Sequence, residues 1–214
     1  SVANGAGLKT TALITDMDEP LAPVAGNGLE VLHAVGFLKN EIVNSRVHEV
    51  TIAMGAELLV SAGLAPTLDE ARANLDKVLA SGVAGEHFAR MVEALGGPGD
   101  FMDQPQKHLR RAKVVKPVFA DEEGTVNAIA TRQLGLAVIE LGGGRRVAAD
   151  KIDHAVGLDQ LLGKNFRADN ETPLAMIHAA DDAGFERAAA IVKAAYKIGG
   201  PATELPPILE KITP

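Results

Sequence analysis

The sequence predicts an α/β protein whose second part is β-rich. Three observations carry this reading. A short apolar, β-branched run at Thr10–Met17 leads through a proline-bearing turn into a capped helix. Helix-patterned stretches then follow one another up to the break at Gly96-Gly97-Pro98. From Lys113 onward the pattern shortens to strand-like runs separated by turns, with one amphipathic helix near the end. The chain therefore divides into an αβ-plus-helices region at 1–112 and a β-rich region with a terminal helix at 113–214.

Each element has a local cause. Thr10–Met17 reads as a buried strand closed by acidic residues, and Asp18-Glu19-Pro20 reads as its turn. Asn27 suits a helix N-cap, with Glu30 three residues on, where it can reach back to the cap's N–H. Leu29–Leu38 is the first helix, with Leu29, Leu32, His33 and Gly36 on one side. Val47–Gly63 is the second, with Gly63 as its C-cap. Thr67-Leu68-Asp69-Glu70 is a capping box that opens a third helix ending near Gly82, and Ala84–Leu95 is a fourth. In the second region, Val114–Phe119 and Thr125–Ala130 are strands, and Pro173–His178 is another. Leu134–Leu141 alternates poorly and is rich in helix formers, so strand and helix stay open there. Phe185–Ile198 places Phe185, Ala188, Ala189, Val192 and Tyr196 on one helical face. The Pro-rich tail, Gly199–Pro214, is expected to be extended. Ser1–Gly7 reads as the last turn and glycine C-cap of a helix with no helix ahead of it. The chain is thus expected to be a piece of a larger protein.

Composition narrows the function. With 47% apolar residues, 214 residues can bury a real core. A net charge of −7 argues against a general phosphate-backbone binder, and 3% aromatics with no Trp argue against base stacking. The absence of cysteine removes thiol nucleophiles, disulfides and Cys-based zinc sites. No apolar run approaches the ~20 residues that cross a bilayer. These features together give the expectation of a cytoplasmic protein with neither a nucleic-acid nor a membrane partner.

Several motifs invite a chemical reading, and each has a plainer one. Gly26-Asn27-Gly28 sits between strand and helix, as phosphate loops do, yet it lacks the third glycine of a dinucleotide loop and the Lys of a P-loop. Gly142–Arg146 could cradle an anion with free N–H groups and two guanidinium forks, or be a glycine hairpin with solvated arginines. Asp150, Asp153 and His154 resemble a carboxylate–histidine pair without a nucleophile. Asp16, Asp18 and Glu19 lie just past a strand's C-terminal end, where ligands to metals or ribose occur. The histidines, at 33, 48, 87, 108, 154 and 178, form no pair at a metal-ligand spacing. The residues alone give no complete catalytic set.

The order of longer motifs adds a resemblance. NGAGLKTTALITDMDEPLA, AGNGLEV, GPGDF, TRQLGLAVIELGGGRR and DKIDHAVG, in this order and spacing, closely resemble the pyrimidine-nucleoside phosphorylases. The likeness runs over essentially all of the chain but corresponds only to the C-terminal half of a family member. It implies the C-terminal part of a mixed-sheet α/β domain with a helical segment, then a barrel-sandwich-like β section and a terminal helix. It also implies reversible phosphorolysis of thymidine by the full-length protein, with thymidine and phosphate as substrates and a homodimer formed through a helical domain. The family's phosphate-gripping and base-gripping motifs have no counterpart in 1–214. No catalytic or cofactor-binding residue carries over, and the chain by itself is expected to be inactive.

One site does carry over. The resemblance implies a monovalent cation, potassium, held by the backbone carbonyls of Leu21 and Val24 and by a Glu on the next helix. His33 stands at the Glu position, and a neutral imidazole is a poor substitute for a carboxylate toward a hard cation. Two other readings compete with the phosphorylase. A phosphoribosyltransferase relative would lack the β-rich extension. A biotinyl or lipoyl carrier would present a lysine at a hairpin tip, and Gly124–Gly135 contains none.

Overall fold

The computed structural model describes residues 2–213. In chain order the elements are α1 (Val2–Gly5), β1 (Ala12–Thr15), β2 (Val24–Ala25), α2 (Asn27–Leu38), α3 (Ser45–Ser61), α4 (Leu68–Ala80), α5 (Val83–Ala94) and α6 (Pro105–His108). Then come β3 (Val114–Val118), β4 (Gly124–Ile129), α7 (Thr131–Glu140), β5 (Gly157–Asp159), β6 (Arg167–Ala168), β7 (Ala175–Ala179), α8 (Asp182–Ala195), β8 (Tyr196–Gly199) and β9 (Ile208–Ile212).

The helices start where side chains can satisfy their first free N–H groups. Asn44 Oδ1 accepts from the Val47 N–H at 2.9 Å and opens α3. Thr67 Oγ1 accepts from the Glu70 N–H at 3.2 Å and opens α4, as its capping box predicts. Asp181 Oδ1 accepts from the Gly184 N–H at 2.7 Å and opens α8. At α2 the expectation fails by one residue. Gly26, with φ 135°, takes the cap, and Glu30 Oε1 accepts its N–H at 3.0 Å. Asn27 instead donates its amide to Gly143 O at 3.2 Å, a partner distant in sequence. The expected turn before residue 8 is present as α1 followed by Gly7 at φ +81°; Ser1 lies outside the described residues.

Among the described residues three antiparallel sheets form, in the orders β1-β9, β2-β5-β7-β3 and β6-β4-β8. The α/β class with a β-rich second part holds at that level. The ladders among the described residues are antiparallel throughout, and none of the sheets closes into a barrel. The strands of the first region do not pair with each other. Two short strands make a poor sheet alone, so β1 pairs with β9, and β2 joins the edge of β5. The tail expected to be merely extended thus becomes a strand; Pro214 lies outside the described residues.

The larger core lies under the second and third sheets. Val126, Leu158, Ile177 and Val192 are fully buried there, together with Leu134 and Ala137 of α7. Leu134–Leu141, ambiguous in sequence, is helical as far as Glu140, with Leu141 as the C-cap, because Leu134, Ala137 and Val138 fall on one buried face. The helix expected to reach Ile198 stops at Ala195. Tyr196 and Ile198 pair with β4, and the Tyr196 hydroxyl is held between Leu162 O and Leu174 O at 3.0 and 3.2 Å. Since a single O–H can donate only one proton, those two carbonyls share it. A smaller alanine core, Ala56, Ala65 and Ala71, joins α3 to α4. No helix of the described residues is long and apolar enough to cross a membrane.

Candidate functional site

The geometry richest in chemistry lies between α2 and the four-stranded sheet. Strand β7 alternates: Ala175, Ile177 and Ala179 enter the core, while Met176 and His178 stand half-buried on the other face. His178 is in register with Val115 of β3 on one side and Gly157 of β5 on the other. Gly157 has no side chain, and a Cβ there would meet Leu29 Cδ1 at 3.0 Å, so α2 rests directly on this row. The Gly28 N–H donates to His154 O at 3.0 Å and ties the 154–155 loop to the start of the helix.

Two adjoining cavities remain beside this contact, sharing Leu29, Leu32 and Gln106. The first, about 340 Å³, is lined by Arg110, Arg111, His154 and His178 over an apolar floor of Leu29, Leu32, Leu109 and Val115. The second, about 600 Å³, is lined by His33, Lys39, Glu41, Asp103, Lys107 and Asp159. Burial holds the pKa of His178 below its ordinary value, opposed by the Asp159 carboxylate. Burial lowers His33 likewise, opposed by Asp159 and Glu30. His33 Nε2 is buried with no hydrogen-bond partner among the described residues.

A second constellation surrounds Asp16, which is 4% exposed. Its carboxylate takes Arg46 Nη2 at 3.2 Å, Lys164 Nζ at 3.9 Å and the Asp18 N–H at 3.0 Å. Glu19 takes Arg46 Nη1 at 3.2 Å and the Lys164 backbone N–H at 3.1 Å. Two carboxylates and two cations from three separated segments balance one another. This is an internal ion lattice that fixes the turn after β1, and its ligand capacity is spent on protein partners. Arg46 and Lys164 carry no sequence signal that pairs them with this turn.

The other sequence candidates resolve as structure. The Gly26 N–H is used by Glu30 and the Gly28 N–H by His154, so the glycine pair is a site of close approach and not a phosphate cradle. A Cβ on Gly26 would lie 2.6 Å from Val156 O. In the Gly142–Arg146 stretch, the Gly142 and Gly143 N–H groups bond Ile139 O and Val138 O and cap α7. Arg146 pairs with Glu140, and the Arg145 Nε–H donates to Asp150 O at 3.3 Å. Asp150 accepts the Val147 and Arg146 N–H groups, which hold its carboxyl below the usual carboxylate range. Asp153 Oδ1 accepts from the Ala155 N–H at 3.1 Å and does not orient His154.

Leu21 lines a cavity with Val43, Arg46 and Phe166, and His33 lines the second cavity beside α2 together with Asp159. Val24 is buried in β2 opposite Asp159. No group of three His, Asp or Glu side chains among the described residues could hold a metal ion. With imidazole in place of a carboxylate, these residues do not fit a hard cation.

Comparison with known proteins agrees with the motif reading. Residues 125–199 match the family of pyrimidine nucleoside phosphorylase C-terminal domains. Over 211 residues the chain is 49% identical to a thymidine phosphorylase of Burkholderia lata, a match covering 99% of this chain and 48% of that protein. The chain thus spans about half the length of this curated relative. The resemblance to this family read from the motifs is borne out.

Proposed function

We propose that the chain is the C-terminal part of a thymidine phosphorylase. The full-length protein would convert thymidine and phosphate reversibly to thymine and 2-deoxy-α-D-ribose 1-phosphate. The observation that carries this is 49% identity sustained over 211 residues. In that reaction phosphate attacks the anomeric carbon as the glycosidic bond breaks, and charge develops on the base and on an oxocarbenium-like sugar. Such charge calls for positioned donors and cations. No residue of 1–214 is assigned to that work.

On this reading residues 1–112 complete the phosphorylase α/β domain, and residues 113–214 form its C-terminal section, in which the β-rich stretch is the family's barrel-sandwich-like part. The loop after β1 would be a supporting wall near the active cleft. The full-length protein acts in the cytoplasm on nucleosides as a homodimer formed through the family's helical domain. The cation site at Leu21 and Val24 enters no step, because its third ligand has become His33.

The test measures thymine released from thymidine with and without phosphate, by the 214-residue chain and by a longer protein that carries the whole family plan. Phosphate-dependent release by the longer protein alone is expected. Silence of the longer protein overturns the activity. Turnover by the 214-residue chain overturns its inactivity.

A further inference from the structure

The first cavity beside α2 has a composition that neither the fold nor the phosphorylase reading uses. Two arginines and two histidines, Arg110, Arg111, His154 and His178, line one space of about 340 Å³, and no carboxylate is among its lining residues. Arg110 makes no ion pair among the described residues, and Arg111 spends one N–H on Gln106 Oε1 at 2.7 Å. The rings of His154 and His178 have no hydrogen-bond partner among the described residues, although His154 is held in place through its backbone carbonyl. In a chain of net charge −7, two guanidinium groups and two imidazoles around one apolar-floored hollow with no lining carboxylate are a local inversion of sign. Leu29 and Leu32 supply that floor. The volume lies at the lower end of the ~300–1,000 Å³ range of small-molecule sites.

We propose that this cavity binds a small organic phosphate monoester, its ring on Leu29 and Leu32 and its phosphate between the arginines and histidines. Two guanidinium forks and two imidazoles offer more donors than a carboxylate can accept, and match the three free oxygens of a phosphate ester. The apolar floor distinguishes an ester with a ring from inorganic phosphate. No covalent step is involved.

The probe is phenyl phosphate, titrated into the protein by isothermal calorimetry, with inorganic phosphate and benzoate in parallel. Saturable one-to-one binding of phenyl phosphate is expected, with both comparison ligands at least about tenfold weaker. The Arg110→Ala/Arg111→Ala double variant should weaken phenyl phosphate by at least about tenfold, since each lost contact is a hydrogen bond between charged groups. Both arginines are exposed, so the unliganded melting temperature of the double variant should match the parent. The ring signals of His154 and His178 should shift during the titration of the parent, a readout that needs no variant. Absence of saturation, unchanged binding in the double variant, or unmoved histidine signals overturns the site. Benzoate binding as tightly as phenyl phosphate overturns the phosphate assignment.

Discussion

Replacing Arg46 by Met tests whether the ion lattice around Asp16 is a buried structure or a surface ornament. An exposed ion pair contributes ~0–1 kcal/mol. Asp16 is 4% exposed, and Arg46 and Glu19 side chains are 18% and 16% exposed, so removing Arg46 leaves a largely desolvated carboxylate without its nearest cation. Breaking a buried pair in this way costs ~3–5 kcal/mol. Asp16 keeps the Asp18 N–H at 3.0 Å and Lys164 at 3.9 Å. The Arg46 Nε–H, buried without a partner among the described residues, already offsets part of the pair's worth. The expected loss is therefore at the low end, about 3 kcal/mol. In a chain of this length that corresponds to roughly 6–12 °C in melting temperature.

Urea unfolding followed by far-UV circular dichroism measures the loss directly, and a double-mutant cycle locates it. Asp16→Asn keeps an oxygen to accept the Asp18 N–H but carries no charge that needs Arg46. The double variant should cost less than the sum of the two single changes, with coupling on the order of 1–3 kcal/mol. A loss for Arg46→Met below about 0.5 kcal/mol, the level of a surface pair, would refute the reasoning. So would strict additivity, because each side chain would then act without the other.

Other substitutions probe the frame of the candidate site. Gly26→Ala places a Cβ 2.6 Å from Val156 O at a backbone φ of +135°, so main chain must move, and a loss of about 3 kcal/mol in urea unfolding is expected. Thr67→Ala removes the acceptor of the Glu70 N–H and should cost about 1 kcal/mol, with α4 losing amide-exchange protection first. His178 and His33 have folded pKa values lowered by burial, so the unfolded chain takes up protons first as pH falls below the free value of ~6.5. Their contribution is complete above that value and is lost as pH falls through the folded pKa. Unfolding free energies at about pH 7.5 and about pH 5.5 should therefore differ less for His178→Gln than for the parent; an equal difference would show that His178 plays no part.

What could be read from the sequence follows from how far its causes reach along the chain. Thr67 and Glu70 are three residues apart, and their box can be read because the same few residues make and satisfy the cap. Asn27 looked equally good as a cap, and lost to Gly26 because β2 must pass within contact of Val156 before the helix begins, a demand set by a distant strand. The same distance hides β9: Ile208–Ile212 is an unremarkable tail until Ala12–Thr15 is placed beside it. The acidic turn at Asp16–Glu19 was visible as a cluster. Its meaning as a closed lattice depended on Arg46 and Lys164, brought in by α3 and by the loop after β5. The basic cavity was invisible for the same reason. Arg110 and Arg111 precede β3, His154 precedes β5 and His178 lies within β7, and only antiparallel pairing of those three strands brings them to one side of α2. Family motifs reached further than local chemistry because they report a whole arrangement at once. They are silent on this cavity, whose two arginines and His178 lie outside the motif stretches, and the titration with phenyl phosphate addresses that part directly.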